Sequence, residues 1–402
     1  MLVGGQNKMK KYATPSLSLM IVLVAFPQIS ETIYTPSLPD ISVAFGVSNN
    51  SVQLTLSIYF IGFALGVFCW GWLSDFIGRR PAMLGGLVFY GIGSLMCYYS
   101  ESITLLLVSR FIQAFGAATG SVITQTILRE SVTGSKRHEM FAKISAVIAF
   151  TPAIGPIIGG WVDQAFGFKA VFFVLVAMSV LLFIYAYFRL SETTNALTRK
   201  RVPIFSVIKR IVSSPRVLVY GLLIGGINGI LFSYYAEAPF IFIEHFHMSP
   251  GIYGFLGVIV AFASIIGAMI SKRLLTKFQP EKIIHLGCFI MSIGSLLLLL
   301  LINTFTTLPN IVLTGGILTT IFIMLMGAGV ALPNCLSLAL VDFHDVVGTA
   351  GAIFSLGYYL LVSLVTSGMS FLHNGSLFMM PFYFLILSVM MWALCRKFIL
   401  KQ

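Results

Sequence analysis

Gly71-Trp-Leu-Ser-Asp75-Phe-Ile-Gly78-Arg79-Arg80-Pro81 lies between two long apolar runs and puts three charged residues into a chain that is only 9% charged. Gly71 permits close backbone approach near the end of the first run. Gly78 and Pro81 predict a tight turn and the start of the next helix. Asp75 either accepts bonds from helix-end amides or pairs with a basic residue. Two readings stand for the stretch. One is a turn carrying a topology signal. The other is a charge latch, with Asp75 as its anionic side and Arg79 and Arg80 as its cationic side, that holds one conformation and releases in another.

The runs on either side set the fold class. The chain has 402 residues, is 58% hydrophobic and has a mean hydropathy of +0.97, more apolar side chain than a soluble protein of this size can hide. An apolar helix needs about 20 residues to cross roughly 30 Å of hydrocarbon. Twelve segments meet that need: 17–38, 51–73, 81–99, 103–127, 141–162, 169–190, 216–240, 251–275, 282–302, 309–335, 346–371 and 377–396. The expectation is an all-α membrane protein of twelve transmembrane helices in two six-helix bundles, 1–190 and 216–402. A polar linker at 191–215 joins them. Within it Pro203–Ser213 alternates apolar residues with Lys209 and Arg210, which reads as a short amphipathic helix on the cytoplasmic surface. A duplicated half should echo the opening stretch; Gly267–Lys277 repeats its basic residues but neither the Asp nor the second Gly.

The net charge of +12 invites a nucleic-acid reading, and its distribution removes it. With the N-terminus in the cytoplasm, 23 of the 25 Lys and Arg fall on the cytoplasmic side, Lys169 falls outside and Arg110 lies within a span. Membrane insertion favours that arrangement. The partner is therefore the lipid bilayer, with both termini cytoplasmic. Five scattered cysteines without a CxxC pair read as small buried hydrophobes, and the histidines show no metal spacing. Glu31 and Pro36 follow the first apolar run without a small-x-small cleavage pattern, so that run should stay as an anchor. No catalytic triad or nucleotide loop is visible, which argues against an enzyme.

A few polar residues interrupt the spans. An ionised carboxylate at membrane depth is expensive, so Glu31 is a natural carrier of one proton, unless it sits in the interface near the helix end. Pro27 and Pro36 loosen the helix around it. Arg110 begins a face that continues through Gln113, Ala117, Ser121 and Gln125 at intervals of three or four. Such a face looks into the bundle or a wet cavity, or else Arg110 snorkels to the interface. Pro152, Gly155, Pro156, Gly159 and Gly160 share one helix face that allows close packing and stays bendable. Tyr34, Tyr59, Tyr234, Tyr235 and Tyr358, with Phe26, Phe63 and Tyr359, either line a cavity for amphipathic guests or face lipid. Glu237 is either a second protonatable group or a residue that simply sits at the outer mouth. Asp40, Asp163 and Glu244 read as exposed loop charges.

Together these residues resemble the major facilitator superfamily over nearly the whole chain. Gly71–Pro81 matches its motif A, with Phe76 in place of the usual basic residue. Arg110-Phe-Ile-Gln113-Ala-Phe-Gly116 resembles motif B, and Pro152–Gly160 resembles motif C, the antiporter motif. Tyr34-Thr-Pro36-Ser-Leu-Pro39, Val52-Gln-Leu-Thr-Leu through Gly66, Ala238-Pro239-Phe240 and Gly327 to Pro333 are similar to the Bcr/CflA group of drug/proton antiporters. One departure is that the group's Asp falls here on Thr32, and the acid is Glu31 one residue earlier, turned by about 100° on a helix. The resemblance implies the major facilitator fold in the cell inner membrane. It implies a monomeric antiporter that exports small amphipathic compounds against protons, with the proton gradient in place of any cofactor. Glu31 would carry the proton and Arg110 would tune it. An exporter of a specific metabolite or siderophore, or a proton-coupled uptake symporter, remains the alternative.

Overall fold

The computed structural model describes residues 16–131, 134–193, 204–304, 309–343 and 346–399. Before the linker stand α1 (Leu17–Thr32), α2 (Leu38–Phe45), α3 (Asn49–Ile77), α4 (Arg79–Tyr98), α5 (Ile103–Ser131), α6 (Gly134–Phe166) and α7 (Phe168–Arg189). After it come α8 (Ile204–Val212), α9 (Pro215–Pro239), α10 (Pro250–Leu274), α11 (Pro280–Thr304), α12 (Asn310–Leu338), α13 (Val347–Leu372) and α14 (Met379–Phe398). Serines start several of them: Ser16, Ser48, Ser214 and Ser249 each accept a bond from the backbone N–H three residues on, which satisfies one of the orphan donors of a first turn.

Eleven helical stretches among the described residues are long and apolar enough to cross a membrane. The expected span 141–162 lies within α6. The first span is broken rather than straight. Pro36 has no N–H to give the Thr32 carbonyl, so that carbonyl accepts the Thr35 hydroxyl at 2.9 Å, and the chain passes through a 3-10 turn at Thr35–Ser37 into α2. The opening stretch is nearly all helix. Only Gly78 separates α3 from α4, at φ 101°, a backbone conformation that favours glycine.

Among the first set, α3 and α4 pack on α5, α4 on α7, and α1 on α5 and α6. Among the second, α11 packs on α12 and α14, α10 on α12, and α13 on α9. The two sets meet chiefly where α3 crosses α13 and α6 crosses α10. One buried apolar cluster is built from residues between Leu19 and Leu190. The other joins the second set to Tyr34, Leu38, Ile41, Val52, Leu56 and Phe60. Those residues stand toward the far end of the molecule, opposite the hairpin end that holds Gly78. The two sets are thus fused by a common core at the far end. The amphipathic stretch is present as α8, which buries Val207 and Ile211 against α13 and α9 and leaves Phe205 exposed.

Candidate functional site

Arg110 is wholly buried in α5 and does not snorkel. Its guanidinium carbon lies 3.9 Å from the centre of the Tyr34 ring and 4.3 Å from that of Tyr59, so two aromatic faces sandwich the cation. Nη1 donates to Gln113 Oε1 and, at 3.4 Å, to the Ser30 carbonyl. Gln113 is held in turn by donating to Ser94 Oγ at 2.8 Å, while the Tyr34 hydroxyl pairs with Thr55 Oγ1 at 3.0 Å. Nε and Nη2 are buried without a hydrogen-bond partner among the described residues. The rings therefore supply much of the compensation that water or a carboxylate would give.

Glu31 follows Ser30 in α1 and is 4% exposed. It forms no ion pair with Arg110 among the described residues, yet the guanidinium's field reaches it. Tyr59 and, on α13, Tyr358 and Tyr359 lie within electrostatic reach of its carboxyl, on the side of α1 toward the second helix set. Aromatic rings mark the boundary between the sets. Phe60 lies 4.4 Å from Phe232, Phe63 lies 4.8 Å from Tyr359, and Tyr358 lies tilted against Tyr359 at 4.4 Å, centre to centre. The structure thus brings together Glu31, Arg110, Gln113, Tyr34, Tyr59 and Tyr358. Gln125 does not join them: it is exposed, donates to Ser121, and lies about 18 Å farther along α5 at 1.5 Å per residue. Tyr234 and Tyr235 are buried at the α9 boundary, and the Tyr235 hydroxyl donates to the Pro152 carbonyl across the two sets at 3.1 Å.

The small-residue face of α6 divides between two neighbours. A Cβ at Gly155 or Gly159 would overlap Thr32 Oγ1 or the Ile33 carbonyl, in the turn after Glu31. Gly160 meets the Pro250 carbonyl, and Pro156 and Ala153 meet Gly254 and Gly257, all on α10. One face therefore ties the segment that carries Glu31 to the opposite helix set.

At the hairpin end Arg79 is almost fully buried and gathers acceptors. It pairs with Asp75 at 2.5 Å and Glu130 at 2.6 Å, and donates to Ser74 Oγ at 2.7 Å. The Glu192 carboxylate accepts the backbone N–H groups of Arg79 at 2.9 Å and Arg80 at 3.1 Å, closing the positive end of α4. Arg80 turns instead to the Tyr187 carbonyl, 2.8 Å away. A Cβ added at Gly71 would come 3.3 Å from Val122 of α5 and 3.9 Å from Ala352 of α13.

The far end holds a cluster that sequence reasoning missed. Glu237 is 2% exposed; it meets His373 Nδ1 at 2.8 Å and accepts from Gln53 Nε2, on α3, at 2.7 Å. Asn50 donates to the carbonyls of Ser370 and His373 at 2.7 and 2.8 Å, and Asn49 donates to Glu244 at 3.0 Å. These bonds clasp the first helix set to the second. Gln53 within an apolar span was a signal; nothing in the sequence links it to His373, 320 positions away.

Two helix sets around a buried acid and cation, crossed by apolar spans, define a multi-pass membrane transporter rather than an enzyme. The Major Facilitator Superfamily profile matches residues 20–367. The chain belongs to that superfamily. It is 35% identical over 385 residues, 92% of this chain and 93% of the relative, to an uncharacterized transporter of Rickettsia bellii. It is 26% identical to multidrug resistance protein D of Escherichia coli, covering 86% of each chain. It is 24% identical to a bicyclomycin resistance protein homolog of Haemophilus influenzae, covering 69% of this chain and 71% of that one. Among solved structures, a D-xylose-proton symporter matches with a TM-score of 0.75 at 15% identity, over 94% of this chain and 96% of that one, a likeness of fold.

Proposed function

We propose that the chain is a proton-coupled antiporter that exports small amphipathic compounds across the bacterial inner membrane by alternating access. The observation that carries this reading is Glu31, nearly buried on the side of α1 toward the second helix set, under the field of a ring-bound Arg110 and braced by the Gly155–Gly159 face. Residues 1–190 and 216–402 act as the two rocking bundles, linked by 191–215, with both termini in the cytoplasm and the proton gradient as the energy source. The protein works as a monomer.

The coupling is electrostatic. Arg110 is fixed by its rings and Gln113, so the charge that changes is on Glu31. An ionised Glu31 is held by the guanidinium's field, and a protonated one is not. Proton and guest then favour different states of the bundle, which links entry of one to departure of the other. Tyr59, Tyr358, Tyr359 and the phenylalanines beside them offer the guest flat apolar faces with hydroxyl edges. The names of the resistance-protein relatives agree with export of drug-like compounds.

Inverted vesicles with an imposed pH gradient test the reading. Gradient-driven accumulation of compounds from a broad amphipathic panel is expected, and Glu31→Gln should abolish the gradient dependence. Coupled transport that survives Glu31→Gln removes Glu31 as the carrier. Accumulation of one metabolite or siderophore alone would favour the narrower exporter.

A further inference from the structure

Asp163 stands in the last turn of α6, three residues beyond the Gly160 that meets Pro250. The sequence reads it as an exposed loop charge; in the structure it is 3% exposed. Among the described residues neither of its buried carboxylate oxygens makes a hydrogen bond of normal geometry, nor does the hydroxyl of Ser37, in the 3-10 turn that packs against α6, although that hydroxyl lies close enough to act on the carboxylate. The charged neighbour that acts on Asp163 is Asp40 of α2, a second carboxylate. Among the described residues the other elements against α6 supply no cation there. Lys169, in the first turn of α7, is exposed and makes no ion pair with it; Glu31 lies deeper along α1; Tyr253 is the titratable group in the first turn of α10, and Lys272, Arg273 and Arg189 end their helices at the hairpin end.

An ionised carboxylate in such a place has lost its water and gained another carboxylate, with the Ser37 hydroxyl as its one neutral compensation. A proton removes both penalties. We propose that Asp163 is a second proton site, occupied while the far end is closed and emptied into the medium on that same face when α6 and α10 part. The step balances as closed protein with Asp163 carboxylic acid going to open protein with Asp163 carboxylate plus one proton released to that face. This proton returns to the side it came from, so it adds nothing to the transported stoichiometry. It makes closure depend on acid at the far face. The inference rests on the alternation proposed above.

The test follows opening by thiol labelling. The five native cysteines are replaced and Ala153, buried against Gly257 of α10, is changed to Cys. A membrane-impermeant maleimide is added on the far face, and rates are divided by that of a reference Cys at the exposed Glu101, which cancels the reagent's own pH dependence. In the otherwise unchanged chain the ratio should climb with pH, by up to about tenfold per unit while one proton leaves. Asp163→Asn should label slowly at every pH, and Asp163→Glu should restore the slope. Should Asp163→Asn fail to fold, Asp40→Asn should move the rise to lower pH, because the opposing charge is gone. A slope that survives Asp163→Asn, or a rise unmoved by Asp40→Asn, overturns the inference. So does suppression of labelling by added sodium at fixed pH, which would make the occupant a metal ion. Absence of labelling at any pH defeats alternation itself, whereas labelling without a slope defeats only the proton site.

Discussion

Arg110 keeps its charge inside the protein with two phenol faces, one amide and one carbonyl. A lysine cannot fill that arrangement: its ammonium is compact, strongly hydrated and has no plane to stack. Desolvated cation–π contacts are worth up to about 2 kcal/mol each. Arg110→Lys should therefore lower gradient-driven accumulation by about tenfold or more, since each ~1.4 kcal/mol is a factor of ten, while leaving gradient-independent guest binding largely intact. Equal loss of both, measured in vesicles and by direct binding, would assign Arg110 to the guest instead. The pairing of Arg110 with Gln113 was legible from their spacing on one helix turn. The sandwich was not. Tyr34 and Tyr59 could be marked as aromatics, but which rings face a cation depends on how α1 breaks at Pro36 and how α3 crosses α5. Asp163 was misread for a similar reason: a charge near a helix end looks exposed until the neighbouring turn closes over it.

At the scale of the element, α6 concentrates two contacts on one face. A methyl at Gly159 would press on a carbonyl of α1, and one at Gly160 on a carbonyl of α10, and neither backbone is the end of a flexible side chain. Overpacking of this kind costs about 1–3 kcal/mol. The two substitutions should nonetheless differ. Gly159→Ala should lower the melting temperature, because it wedges α6 from α1 within one helix set. Gly160→Ala should chiefly speed far-face labelling at position 153, because it parts two helices that alternation parts anyway. Identical behaviour in both assays would mean that the face acts as one packing patch. The shared face was readable from the three- and four-residue spacing. Its division between two partners was not, because spacing fixes which residues point together and says nothing about what they meet. The opening stretch shows the same limit. Its charges were plain, but Glu130 and Glu192, which complete the surroundings of Arg79, lie 51 and 113 positions away.

Across the whole molecule the far end is joined by Gln53, Asn50 and Asn49 reaching over to the second helix set. A hydrogen bond to a charged group contributes about 1.5–3 kcal/mol and a neutral one about 1 kcal/mol. Removing the two Asn50 bonds and the Gln53 bond together, as Asn50→Ala with Gln53→Ala, should raise the far-open population by roughly two to four orders of magnitude. Distances between spin labels on α3 and α13 would register the shift, and an unchanged distribution would show that the shared apolar core alone keeps this end shut. The hairpin end is governed by something else. Glu192 anchors the start of the linker on α4, and α8 anchors its far portion on α13 and α9. Between Thr193 and Ile204 run eleven residue steps, which whatever their path can span at most about 40 Å. For the alternation proposed above, that leash puts a ceiling on how far its two anchor points can part when this side opens.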